Sequence, residues 1–469
     1  MSTRIPSTDP ILDNIQANIL KGHGRDFAHH LFFQFKTNTS AKAKDWIGSF
    51  AWTTAKKQLL GTELFKAGKI TDGGPVFTLS LSSTGYDKLG LASSKPFGGS
   101  FANGMKASAG LLGDDISIWD EGFKDSVDMM ILVADDDSKK VKALADDIVA
   151  QVTVFARLLV NQRGNVLKMK GGSGIEHFGY ADGISQPLFL EEDVANQPST
   201  VEWNDETDTA RLLVADFESD PNCFGSFLVF RKLEQNVKAF KDAEGDNPPI
   251  PTVLPVVQDV DGKPNSELAG AMLVGRFENG TPTVKSSIEL NPNPFSVTND
   301  FDYRDDLPAL KCPFHSHIRL MNPRNGDTDA GDVSEQRITR RGMPYDDVKR
   351  IPEDRITTIS DDLLDGSQPE KGVGLLFMCY QNNIELQFEI IQGFWANLGQ
   401  IKTHIIGAED SLIGQGANPP KTLPKQWGQP AQSSSFSFHG FVKNRGGEYF
   451  FTPSICFLRK LRTDQNLAQ

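Results

Sequence analysis

Cysteine is scarce in this chain. The four residues, Cys223, Cys312, Cys379 and Cys456, lie far apart and none falls in a CxxC spacing. That spacing indicates neither a zinc site nor a disulfide framework, and free thiols suggest a reducing compartment. Long apolar runs are missing too: no segment approaches the roughly 18 uninterrupted apolar residues of a membrane helix. The opening MSTRIPSTDPILDNIQANILKGHGR lacks a basic stretch followed by an apolar one. The expectation is therefore a protein that is cytoplasmic, or exported without a signal peptide, and that does not span a membrane. Basic charge is in deficit, with 48 Lys and Arg against 61 Asp and Glu and a net charge of −13. Phosphate backbones are bound by clustered Lys and Arg, so this balance disfavours a nucleic-acid partner and suits neutral or cationic small substrates. No GxSxG occurs, so hydrolysis by a nucleophile elbow has no anchor.

What is present is a chain of 469 residues, 38% hydrophobic, long enough for two or more packed domains. The segment 13–21 predicts a short helix. AHHLFFQFK at 28–36 predicts a strand, 42–60 is helical in character, and PVFTLSLSS at 75–83 alternates as a half-buried strand does. Thr84 is a plausible cap for the helix that follows. A strand at 129–133, a helix at 139–151 and a strand within 152–160 complete a strand, helix, strand, strand, helix, strand order. This order predicts an α+β domain with helices on one face of an antiparallel sheet. The polar stretch 178–222 predicts the connection between an N-terminal domain, 1–222, and a C-terminal domain, 223–469. In the second half, 227–232 predicts a strand leading into a helix at 233–242, 246–266 a surface excursion, and 374–380 a buried strand. A helix is predicted at 384–398, with Ile384, Phe388, Ile391 and Trp395 on its apolar face. A last pair of strands is predicted around the turn 444–447. The repeated rhythm suggests duplication.

Three stretches carry chemistry. EHFGYADGISQP at 176–187 brackets Asp182 with Gly179 and Gly183, so the backbone can bend sharply and aim the acid. KCPFHSHIRLMNPR at 311–324 holds His315 and His317 in an apolar setting, on one strand face by the period of two. RITRRGMPY at 337–345 follows. In this order the three resemble the dye-decolorizing peroxidase family of haem enzymes, and the likeness runs from the NIQANILKGHGR opening to the last strands.

The resemblance implies two ferredoxin-like domains with antiparallel sheets and haem b held between sheet and helices, mainly by the second domain. It implies a peroxidase that reduces hydrogen peroxide and oxidises bulky dyes, phenols and Mn²⁺ by one-electron steps. A haem-binding or haem-handling protein of the same fold with little peroxidase activity is the alternative. The family pattern CPFxxH[IV]R places the axial ligand at His317, with His315 a neighbour, and a neutral imidazole suits haem iron. The other six histidines are read as satisfied core or surface residues. The GxxDG turn makes Asp182 the distal proton carrier, and RxGMP makes Arg340 its cationic partner, with Arg341 read as a surface charge. An aspartate titrates near ~4, so acid-optimal turnover is expected. Arg324 falls at the family's propionate position, and Leu375 and Phe377 would wall the pocket. The second nitrogen of the ligating histidine needs an acceptor, for which Asn383, Glu385, Glu409 and Asp410 are the candidates. Tyr345, after a Gly and a Pro, is expected to carry electrons from bulky substrates at the surface, with Trp395 as runner-up.

Overall fold

Strand β1 (Phe27–Phe35) reads as a near-continuous apolar run because both its faces are covered; all its residues but Gln34 are buried. Helices α1 (Ser40–Ser49) and α2 (Ala55–Lys66) follow, then β2 (Val76–Leu81) and β3 (Met129–Asp135). Helix α3 (Ser138–Val152) starts where the Asp137 carboxylate accepts the amides of Lys139 and Lys140 at 2.8 and 3.1 Å. It buries Val141, Ala145, Ile148 and Val152, one face at steps of four, three and four. Strand β4 (Ala156–Asn165) closes this half, in the spatial order β4-β1-β3-β2, antiparallel throughout.

The second half repeats the order. Strand β5 (Phe224–Gln235) precedes α4 (Val237–Glu244). Then come α5 (Ser266–Val274), α6 (His317–Met321), β6 (Met343–Asp346), β7 (Val373–Gln381), α7 (Glu385–Ala396), β8 (Val442–Thr452) and α8 (Ile455–Thr463). Here the strands run β8-β5-β7-β6, and β8 meets β2 at Phe451 and Leu81. The fold is thus α+β, with two antiparallel four-strand arrangements of equal order joined into one sheet. Its far ends approach, and no ladder joins them among the described residues: a Cβ on Gly164 of β4 would stand 2.4 Å from Met343 Sδ of β6. Phe32, Phe123 and Phe230 pack together inside, with ring centroids 4.6 to 5.8 Å apart. The computed structural model describes residues 4–463 apart from 97, 170–173, 198–201, 217–219, 245–252, 291–298, 326–332, 350–356, 360–367, 403–406 and 417–418.

Several expectations change. Between residues 13 and 21 only the single turn Pro10–Asp13 is helical. Gln16, fully buried, instead bonds Leu79 O and Pro453 O at 2.9 and 2.7 Å, which ties the segment to the sheet as irregular chain. The cap of the short helix Ser83–Lys88 is Ser82, whose hydroxyl accepts the Gly85 amide, and not Thr84. Strand β5 runs on to Gln235, so its helix begins at Val237. The expected pair of strands around 444–447 is one strand, β8, with a register shift between Asn444 and Gly447. The shift is local because Gly446 lies against the Phe123 ring, where a Cβ would come within 2.2 Å. Of the excursion at 246–266, residues 246–252 lie outside the described residues. Cys223 and Cys456 form a disulfide that ties the start of β5 to α8, so the expectation of four free thiols is wrong; Cys312 and Cys379 are free and buried. The separation of 233 residues between Cys223 and Cys456 hid their pairing in the sequence.

Candidate active site

A cavity opens between β5, β7, α6 and α7. Leu375 and Phe377 alternate along β7 and both line it, while Leu376 and Met378 point into the core. Phe388 and Ile391 of α7 supply another wall. All four predicted apolar positions of this helix are buried, and Trp395 packs there with Ile391 and Leu320. The helix is wound wide: the Glu389 amide bonds Ile384 O, five residues back, at 3.0 Å.

His317 opens α6, so it shares no strand face with His315; the two differ in surroundings instead. His317 lines the cavity and is the only histidine among the described residues that does, His404 lying outside them. Its Nδ1 lies 2.7 Å from Oδ2 of the fully buried Asp410. Asp410 Oδ1 accepts the amides of Leu412 and Ile413 at 2.7 and 3.0 Å. Burial alone would raise this carboxyl; the interaction with His317 and the two amides outweigh it and hold it below the ordinary range. With Nδ1–H donated to Asp410, the lone pair of Nε2 is the one left for a ligand. His315 has no such freedom: its nitrogens face Thr422 O at 3.1 Å and Ser411 Oγ at 3.3 Å, and burial pushes it down to about 4.

Asp182 and Arg340 meet across 158 residues, Arg340 Nη1 donating to Asp182 Oδ1 at 3.0 Å, and both line the cavity. Arg340 is set by its ladder pairing with Cys379 and by Gln186 Oε1, which accepts its amide at 3.1 Å; its Nη2 donates to Ser185 O at 3.1 Å. Gly183, at φ 76°, donates its amide to Asp182 Oδ1, so Oδ2 has no hydrogen-bond partner among the described residues. Arg341 is no surface charge: its guanidinium donates to the carbonyls of Asn18 and Ile19 at 2.7 and 2.9 Å, and burial pushes it down to about 10.

Arg324 lines the cavity and stacks 4.0 Å from the Phe301 ring centroid, its Nη2 donating to Asn299 Oδ1 at 2.5 Å. Sequence reading missed its neighbour Arg276, which donates to the same oxygen at 3.0 Å; no local pattern marks it, because it sits 48 residues upstream. Both guanidinia are buried, and among the described residues neither is paired with a carboxylate. Burial and then repulsion by Arg324 push Arg276 down to about 9. Two buried guanidinia beside apolar walls, neither in a carboxylate ion pair among the described residues, fit a flat apolar ligand bearing carboxylates. With an imidazole nitrogen directed at the same space, the donor set fits haem.

Tyr345 contradicts its expected place. It lies in β6 at 1% exposure, its hydroxyl has no hydrogen-bond partner among the described residues, and burial pushes the phenol up. Pairing of Met343–Asp346 with β7 turns the ring inward, so it cannot meet a bulky substrate at the surface. Asn383, Glu385 and Glu409 are not the acceptors of His317; Asp410 is.

The family described as the DyP dimeric alpha+beta barrel domain matches residues 14–167, and that described as Dyp-type peroxidase, C-terminal, matches 283–405. The chain is 36% identical over 467 residues, 96% of each chain, to the multifunctional dye peroxidase DyP2 of Amycolatopsis sp.. A solved DyP-type peroxidase of Anabaena sp. superposes with a TM-score of 0.84 at 36% identity, covering 98% of this chain and 97% of that one. The solved Amycolatopsis DyP2 gives 0.82 at 34% identity and 98% of each. An imidazole backed by a buried carboxylate, and a carboxylate paired with a guanidinium, thus stand in one cavity of a chain that aligns nearly end to end with these enzymes. It belongs to the dye-decolorizing peroxidase family, oxidoreductases that use hydrogen peroxide.

Proposed function

We propose that this member binds haem b in the cavity through His317 and reduces hydrogen peroxide at the expense of bulky dyes, with phenols and Mn²⁺ as further reductants. Haem, when bound, would supply the redox chemistry for two-electron reduction of peroxide and one-electron oxidation of the reductants. His317 Nε2 would hold the iron, with Asp410 keeping the Nδ1 proton in place and the imidazole basic. Arg276 and Arg324 would receive the haem carboxylates. Asp182 takes a proton from one peroxide oxygen at its unpartnered Oδ2 and returns it to the oxygen that leaves as water. Arg340 supplies the fixed positive charge for the negative charge that develops. Leu375 and Phe377 keep bulk water from that exchange. The division at residue 222 is read as the boundary between the two ferredoxin-like units. A disulfide favours an oxidising compartment, so of cytoplasmic location and export we take export.

The observation that carries this reading is that His317, backed by the buried Asp410, and the bonded pair Asp182 and Arg340 line one cavity. Its test is the absorption spectrum of the purified protein with and without peroxide. A Soret band that changes on adding peroxide, with dye bleaching that requires peroxide, is expected; a protein that neither carries nor takes up haem would overturn it.

A further inference from the structure

The loop that carries Asp182 closes on itself. The Asp182 amide donates to Gly174 O at 3.1 Å, the Glu176 amide to Tyr180 O at 3.2 Å and the Gly179 amide to Glu176 O at 3.0 Å, with Gly179 at φ 101°. The bend leaves the amides of Phe178 and Tyr180 turned inward, and the Glu176 carboxylate accepts both, at 2.8 and 3.0 Å. A third donor, Gln235 Nε2, reaches the same carboxylate from the end of β5. Among the described residues no cation pairs with Glu176.

We infer that Glu176 is a positioning residue: its carboxylate holds the Asp182 turn in its working shape, and the carboxylic acid form holds it less well. This rests on Asp182 being the proton carrier, and it replaces the expected acid optimum, as far as the peroxide step is concerned, with a rate that falls as pH drops through neutrality. The charges around Glu176 come from several elements. Asp182, bonded to Arg340, lies on its own loop; on the other side Glu278 accepts the Ala181 amide at its carbonyl and pairs with Lys241, and Tyr180 Oη donates to Glu244. Its chain neighbour His177 bonds Tyr345 O at 2.8 Å. Burial pushes Glu176 up to about 7, against the pull of the Phe178, Gln235 and Tyr180 donors, and the Asp182 charge pushes the same way as burial. Near neutral pH both forms are therefore populated. The ionised carboxylate accepts all three donors. Once one oxygen carries a proton it becomes a donor itself, and the Phe178 and Gln235 bonds on that oxygen compete with it. Gln235 Oε1, buried without a partner among the described residues, can accept a hydrogen bond from this hydroxyl when the amide rotates, and Gln235 then no longer donates to the carboxylate.

The experiment compares the wild-type holoenzyme with Glu176→Gln and Gln235→Leu between pH 5 and 9, by infrared spectroscopy and by stopped-flow reaction with peroxide. In the wild type a buried carboxylic acid band should titrate near neutral pH and the peroxide rate should bend at the same midpoint. In Glu176→Gln band and bend both vanish, and the alkaline rate falls about tenfold, less than the ~10²-fold or more expected for losing a proton carrier. Gln235→Leu removes one donor to the carboxylate, so both midpoints move to higher pH; this variant decides the matter if Glu176→Gln does not take up haem. A Glu176→Gln enzyme with wild-type rate and bend, beside a slow Asp182→Asn enzyme, overturns the inference alone. An Asp182→Asn enzyme with the wild-type rate would instead overturn the proposed function.

Discussion

His317 Nδ1 and Asp410 Oδ2 stand 2.7 Å apart across 93 residues of chain, and the carboxylate has no exposure to solvent. Its remaining oxygen is anchored by two backbone amides, so the imidazole is held at one tautomer and one orientation. Replacing Asp410 by Asn keeps the shape and removes the charge. Haem affinity should fall about 10- to 100-fold, and the iron should become easier to reduce. Haem transfer to a competing apoprotein and a redox titration check both; wild-type values in both would show that the pair does not tune the site.

His315 and His317 separate cleanly in a binding test. His317→Ala should lose tight haem uptake, whereas His315→Ala, whose ring is spent on Thr422 and Ser411, should keep it. Soret intensity after reconstitution is the measurement, and normal uptake by His317→Ala would sink the ligand assignment.

Asp182→Asn and Arg340→Leu leave the haem-holding residues intact, so both should retain the Soret band. Reaction with peroxide should slow by about 10²- to 10⁴-fold for the first and about 10²- to 10³-fold for the second. Two variants reacting at the wild-type rate in stopped flow would remove the pair from the mechanism.

Tyr345→Phe should leave dye turnover unchanged. The ring is buried in the core and its hydroxyl has no hydrogen-bond partner among the described residues, so only an unsatisfied polar atom is removed. A large loss of dye bleaching with unchanged peroxide consumption would restore the tyrosine as a relay.

Stability should respond to pH through Asp216, whose Oδ1 is buried without a partner among the described residues and whose carboxyl burial pushes up to about 6, the Ser454 amide and hydroxyl opposing. The native state then holds this proton longer than the unfolded chain. The stabilisation is complete below the unfolded value and is lost as pH rises from about 4 to about 6, on the order of 2 to 3 kcal/mol. Denaturation at several pH values should show this slope in the wild type and not in Asp216→Asn; equal slopes would place the titration elsewhere.

Periodicity and turn chemistry were enough to read the α+β order from the sequence, because β1, α3 and α7 bury faces set by spacings of a few residues. The same locality made Asp182, His317 and Arg340 legible through short motifs around glycine and proline. Other features depend on pairs far apart in the chain, and no spacing encodes those. Asp410 was one of four candidates until packing brought it to His317. Arg276 had no motif, and Cys223 with Cys456 looked like two free thiols. Tyr345 shows the converse error: Gly342 and Pro344 suggested an outward turn, and ladder pairing of Met343–Asp346 with β7 turned the ring inward. Local sequence decides which residues can bend, cap or alternate; burial, and with it the charge state of His315, Glu176 and Arg276, is decided only when distant segments close around them and remove water.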